Sequence, residues 1–152
     1  VCKSMSKVYA LSGARVAYLC ASPHQLEELH AITPPWVVSL PAQVAAVRAL
    51  ADPDYFATRY AETAELRQTL ASDLQKLGWT VLPGIANFLL CFLPENGPDA
   101  AEVVRRCRRR NVFLRDAAVM GSQLGGRAIR IAVKDAVTNR RMVNVIWEAI
   151  GD

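Results

Sequence analysis

Residues 4–18 read Ser4-Met5-Ser6-Lys7-Val8-Tyr9-Ala10-Leu11-Ser12-Gly13-Ala14-Arg15-Val16-Ala17-Tyr18, and they set a lysine among hydroxyls, with an arginine just beyond a glycine. A lysine attacks an aldehyde only as the free amine, a form that cationic or desolvating neighbours favour. Arg15 is one such neighbour. Hydroxyl donors and a guanidinium fork arranged about a glycine turn also suit a phosphate monoester, which takes several short charge-assisted hydrogen bonds. An amine beside a phosphate-binding turn points to pyridoxal 5'-phosphate (PLP). Taken alone, S-x-S-K is a common surface turn, so the weight rests on the length of the run.

Outward from this run, the mixture of small, apolar and polar residues over 1–21, with Gly13 in its middle, predicts strand, loop and strand. Ser22-Pro23 and the spacing of Leu26 and Leu29 predict a short helix that ends before Pro34 and Pro35. Pro41 opens a second helix through Leu50. Asp52-Pro53 then starts a long one, because Asp caps orphan amides and Pro occupies the first helical position without losing a hydrogen bond. Leu66, Leu70, Leu74 and Leu77 share one face of it, and Gly78 supplies the left-handed stop.

The period then changes. Thr80 to Leu82, Asn87 to Leu93 and Val112 to Leu114 read as strands, and Pro98-Asp99 opens a helix through Arg110 with Val103, Val104 and Cys107 inward. Ala117 to Gly126 reads as loop. Ala128 to Val133 alternates, with Ile129, Ile131 and Val133 on one face and Ala128, Arg130 and Ala132 on the other. A last helix from Ala136 to Ile150 buries Met142, Ile146, Ala149 and Ile150. The fold class is therefore α/β, with a short sheet flanked by helices and a domain boundary near Leu40.

The 152 residues, 52% of them apolar, are enough for one core. No apolar run approaches the ~18 to 20 residues of a membrane helix, so no membrane is expected as a partner and a cytoplasmic location is. Cys2, Cys20, Cys91 and Cys107 are widely spaced and read as reduced, mostly buried thiols, with no metal expected. The net charge of +4 owes much to Arg105, Arg106, Arg108, Arg109 and Arg110, a run that reads as the solvated end of a helix. A basic nucleic-acid-binding module is the alternative of another class, but no aromatic platform accompanies the run and no nucleic-acid partner is expected.

The run from Ser4 to Tyr18 resembles the Schiff-base segment of fold-type I PLP-dependent aminotransferases of class I/II, nearest the histidinol-phosphate aminotransferase branch. Ala86-Asn87-Phe88-Leu89-Leu90, Phe113-Leu114-Arg115-Asp116, Ile129-Arg130-Ile131-Ala132-Val133 and Asn139 recur in the family's order and spacing, so the likeness covers nearly the whole chain. It implies that residues 1–40 are the end of the PLP-binding large domain, and that residues 41–152 are a connecting helix and the C-terminal small domain. It further implies that Lys7 carries the cofactor and that Ser4, Ser6 and Arg15 hold its phosphate. Arg130 would pair with the substrate α-carboxylate, Arg115 with a substrate phosphate, and Asn87 would line the substrate side.

The implied reaction moves an amino group between an amino acid, or an amino-phosphate such as histidinol phosphate, and a 2-oxo acid, with the intact protein a homodimer of amino-acid biosynthesis. The family's ring-binding acid, tyrosine and asparagine lie upstream of the lysine, so this chain is expected to be a fragment, inactive alone. A threonine-phosphate decarboxylase-like lyase shares the fold and a segment similar to Pro34-Pro35-Trp36. A scaffold that keeps the fold without the chemistry is a further alternative. Apart from the resemblance, Arg130 reads either as a ligand-facing cation between two alanines or as an edge-strand arginine in solvent.

Overall fold

The computed structural model describes residues 1–151, and its contacts group into two units, Val1–Thr58 and Arg59–Asp152. In the first unit, β1 (Cys2–Ser4) pairs antiparallel with β2 (Ala17–Leu19), Ser4 opposite Ala17, and the residues between them form a one-turn helix α1 (Met5–Val8) and a 3-10 turn (Ser12–Ala14). The expected strand, loop and strand are present, with a helical turn added where the Ser4 side chain accepts the Ser6 amide. The Met5 amide donates to the Val16 carbonyl at 3.1 Å, extending the strand pairing into the turn. Met5 and Val16 are buried, and they meet Ala42 and Ala46 of α3 (Leu40–Leu50) in a small core.

Helix α2 (Pro23–Ile32) begins with a reciprocal cap between Ser22 and Gln25, with proline in its first turn. It buries none of its residues, and Leu26, Leu29, Ile32 and the following Trp36 are exposed. Helix α4 (Pro53–Lys76) starts where Asp52 Oδ1 accepts the Tyr55 amide at 3.2 Å. It stops at Gly78, whose φ of 81° lies in the region that costs a side chain but not glycine.

In the second unit, β3 (Thr80–Val81), β4 (Phe88–Phe92), β5 (Arg115–Asp116) and β6 (Ala128–Ala132) form an antiparallel sheet in the order β3-β4-β6-β5. Helices α5 (Ala100–Arg109) and α6 (Ala136–Gly151) complete it. Alternation divides the sheet as expected. Leu89, Cys91, Ile129 and Ile131 are fully buried against Leu74, Val103, Cys107 and Ile146, while Phe88, Leu90, Phe92 and Arg130 occupy the other face and are half-buried. Burial of this kind contributes about 1.5–3 kcal/mol per large side chain, which makes the first face the principal core of the unit.

Three local expectations are corrected. Val112 to Leu114 is not a strand: the Val112 amide returns to the Cys107 carbonyl at 3.0 Å and Asn111 takes a left-handed φ of 56°, so the chain is still closing α5 there. Val112 and Leu114 are buried, but pairing starts only at Arg115. Residues 117–126 are not plain loop, since 3-10 turns occupy Ala118–Met120 and Ser122–Arg127, the first drawn in by Asp116 Oδ1 accepting the Ala118 amide at 2.9 Å. Cys2 and Cys20 are exposed, because both lie at the outer end of the two-stranded ribbon; only Cys91 and Cys107 are buried, and all four thiols are free. No helix among the described residues is long and apolar enough to cross a membrane.

Candidate functional site

The predicted site residues fall into two groups, one in each unit. In the first, Ser4 ends β1 and caps α1, its Oγ accepting the Ser6 amide at 3.3 Å and donating to Ser6 Oγ at 3.1 Å. Lys7 follows on the same turn and is exposed. What holds this polar turn is the apolar residue inside it: Met5 is 1% exposed, and its carbonyl accepts the Leu11 amide at 3.1 Å and the Tyr9 amide at 3.3 Å. Burial of Met5 thus presents Ser4, Ser6 and Lys7 outward on a fixed base.

Arg15 closes the loop in a left-handed conformation, φ 53° and ψ 46°, which is uncommon for a residue with a side chain. Its Nη1 donates to the Ser12 carbonyl at 3.3 Å, and the guanidinium is otherwise exposed. The Lys3 ammonium lies 5.9 Å from the centroid of Tyr9. Two hydroxyls, an amine and a guanidinium make a donor set that fits a phosphate monoester and an aldehyde, the two functions of PLP.

In the second unit, Arg130 lies on β6, an interior strand, and so is not the edge-strand arginine that the sequence left open. Leu90 faces it from β4 and Arg115 from β5, so both arginines lie on the sheet face opposite Ile129 and Ile131. The guanidinium carbon sits 4.0 Å from the centroid of Phe88. Arg130 Nε is closed off from solvent and has no hydrogen-bond partner. Asn87 directly precedes β4; its side chain is exposed and its carbonyl accepts the Val133 amide at 2.9 Å.

Other reactive or charged groups are accounted for structurally. Burial pushes the Cys91 thiol up to about 12 against the opposing pull of Arg67, and the Cys107 thiol up to about 11 against Arg110, so neither supplies a thiolate nucleophile near neutral pH. Arg105 and Arg106 both bond Glu102, Arg106 Nη1 also donates to the Ala149 carbonyl at 3.0 Å, and Arg110 lies 3.4 Å from Glu148. The arginine run therefore braces α5 against α6 as well as meeting solvent through Arg108 and Arg109. Asn139 is buried and locks the turn after β6, its Oδ1 accepting the Lys134 amide at 2.9 Å and its Nδ2 donating to the Lys134 carbonyl at 2.8 Å.

From the sequence, Phe88 is only one residue of an apolar strand. Its position diagonal to Arg130, with the small Ala132 as its register partner, depends on strand pairing and has no local signature.

A model of the family described as aminotransferase class I and II matches residues 1–150. Histidinol-phosphate aminotransferase 2 of Carboxydothermus hydrogenoformans is 31% identical over 144 residues, which is 95% of this chain and 38% of that protein. The histidinol-phosphate aminotransferase of Sinorhizobium meliloti, solved in complex with pyridoxal-5'-phosphate, superposes with a TM-score of 0.85 at 27% identity, over 99% of this chain and 40% of that one. The L-threonine-O-3-phosphate decarboxylase of Porphyromonas gingivalis shares the fold, with a TM-score of 0.80 at 23% identity over 99% of this chain and 46% of that one. The chain thus spans less than half the length of these relatives. Matched along residues 1–150, it belongs to the aminotransferase class I and II family.

Proposed function

We propose that this chain is the C-terminal part of a PLP-dependent aminotransferase that moves an amino group between an amino acid or amino-phosphate and a 2-oxo acid. One observation carries the reading: Lys7 stands on the same turn as the mutually bonded hydroxyls of Ser4 and Ser6, held by buried Met5, in a chain of this family. The S. meliloti relative binds PLP, and the donor set here fits the same group.

In this reading Ser4, Ser6 and Arg15 would hold the cofactor phosphate, and the Lys7 amine would condense with the cofactor aldehyde with loss of water. When bound, PLP supplies an electron sink for the bond broken at the substrate α-carbon. Lys7 would hold the cofactor and, as a free amine, would serve as the general base and then acid that moves the substrate α-proton. Arg130 orients the α-carboxylate by a bidentate pair, which a guanidinium forms and an ammonium cannot. Arg115 receives a second anionic group such as a substrate phosphate, and Asn87 lines the substrate side. Residues 1–40 close the cofactor-binding domain and residues 41–152 form the connecting helix and small domain. The whole protein acts as a homodimer in the cytoplasm, and this piece alone does not turn over.

The full-length protein loaded with PLP should convert 2-oxoglutarate to glutamate when given histidinol phosphate or another amino donor. Release of carbon dioxide from an amino-acid phosphate, without consumption of any 2-oxo acid, would instead assign the lyase reaction.

A further inference from the structure

We propose that Phe88 is a positioning residue for Arg130: its ring holds the guanidinium flat, so that the two terminal nitrogens, and not Nε, are presented to a carboxylate. This rests on the reading that Arg130 receives the substrate carboxylate. The geometry follows from the sheet. Phe88 is opposite Ala132 and Arg130 is opposite Leu90, which makes Phe88 and Arg130 diagonal neighbours on one face. Diagonal pairs stand about 7–8 Å apart, within reach of an aromatic ring and a long side chain. Alanines at 128 and 132 flank Arg130 along its own strand, so nothing bulky on β6 keeps the ring and the guanidinium apart.

The result is a ring 4.0 Å from the guanidinium carbon. Among the described residues no hydrogen bond fixes the Arg130 side chain, and Nε, without a partner, is sealed from water. The cation–π contact with Phe88 is therefore the one specific polar interaction on its head group among the described residues. A planar cation resting on a ring face keeps its edge free for hydrogen bonds, whereas a carboxylate partner within the protein would compete with the ligand for that edge. With Nε enclosed, the accessible edge is the one carrying Nη1 and Nη2, so a bound carboxylate approaches end-on.

The test uses the full-length PLP-loaded protein and 2-oxoglutarate. Phe88→Leu keeps apolar bulk and removes the ring; Phe88→Tyr keeps the ring. The KM for 2-oxoglutarate should rise about tenfold in Phe88→Leu, with kcat altered by less than about threefold, and return to within about twofold of wild type in Phe88→Tyr. The cofactor absorbance should be the same in all three. If Phe88→Leu does not fold, Phe88→Met replaces it. An unchanged KM in the ringless variant, beside a raised KM in Arg130→Lys, would overturn the positioning role and leave the carboxylate reading standing. Equal losses in the ringless and tyrosine variants would also overturn it. An unchanged KM in Arg130→Lys would remove the carboxylate reading and the proposal with it.

Discussion

Arg115 and Arg130 are direct register partners on adjacent antiparallel strands, two cations side by side on the face of the sheet opposite buried Ile129 and Ile131. Like charges directly opposite each other are unfavourable, and an anion placed between them relieves the repulsion. Removing one charge should therefore stabilise the ligand-free fold. Arg115 is exposed and screened, so Arg115→Gln is expected to gain only a few tenths of a kcal/mol in urea denaturation at low salt. Inorganic phosphate should raise the midpoint of the wild type more than that of the variant. A variant less stable than wild type at low salt would show that the pair is not repulsive.

Met5→Ala leaves every polar group of the Ser4-Ser6-Lys7 turn in place and empties the position that anchors it. Large-to-small changes at buried sites cost about 2–5 kcal/mol. Amide hydrogen exchange should accelerate at Tyr9 and Leu11, whose amides bond the Met5 carbonyl, and the thermal transition should fall. Unaltered exchange there would mean that the turn is held from elsewhere.

Asn139→Ala should be costlier than its conservative size implies. It leaves the Lys134 amide and carbonyl without their side-chain partner in a part-buried setting, a loss of about 2–3 kcal/mol in a urea titration. Asn139→Asp should not rescue it fully, because a carboxylate cannot donate to the Lys134 carbonyl.

Hydrogen bonds from Arg105, and then from Arg106, hold the Glu102 carboxyl below the ordinary glutamate range. A carboxylate with a depressed folded-state pKa contributes stability that is present above its unfolded value. That contribution is lost as pH falls through the folded value. Acid unfolding should therefore include a Glu102 component that begins below about pH 5 and grows downward. In Glu102→Gln the acid limb should be shallower, with the difference from wild type vanishing at low pH. Parallel acid limbs would show that Glu102 contributes nothing to the acid transition.

Much of the fold was legible because its signals are local. Ser22-Pro23, Asp52-Pro53 and Gly78 mark helix starts and a stop by backbone chemistry alone, and the alternation over Ala128 to Val133 states which side of β6 is core. That Ser4, Ser6 and Lys7 share one turn was legible too, from their closeness in sequence. Strand pairing was not. The meeting of Arg115 with Arg130, and of Phe88 with Arg130, depends on register across intervening helices and turns, which no local pattern encodes. The same non-locality explains the misplaced strand at Val112 to Leu114: two inward apolar residues look alike whether the backbone pairs or merely finishes a helix cap. Cys2 and Cys20 show the converse, since apolar residue types on a short two-stranded ribbon have no second layer over them.

Whether Lys7 carries the cofactor is decided by mixing the protein with PLP, reducing with borohydride and mapping the modified lysine by peptide mass spectrometry. Lys7 should be modified over Lys3, Lys76 and Lys134 in the full-length protein, with loss or marked weakening of the label in Arg15→Ala. Modification spread over the other lysines, with Lys7 untouched in the full-length protein, would contradict it.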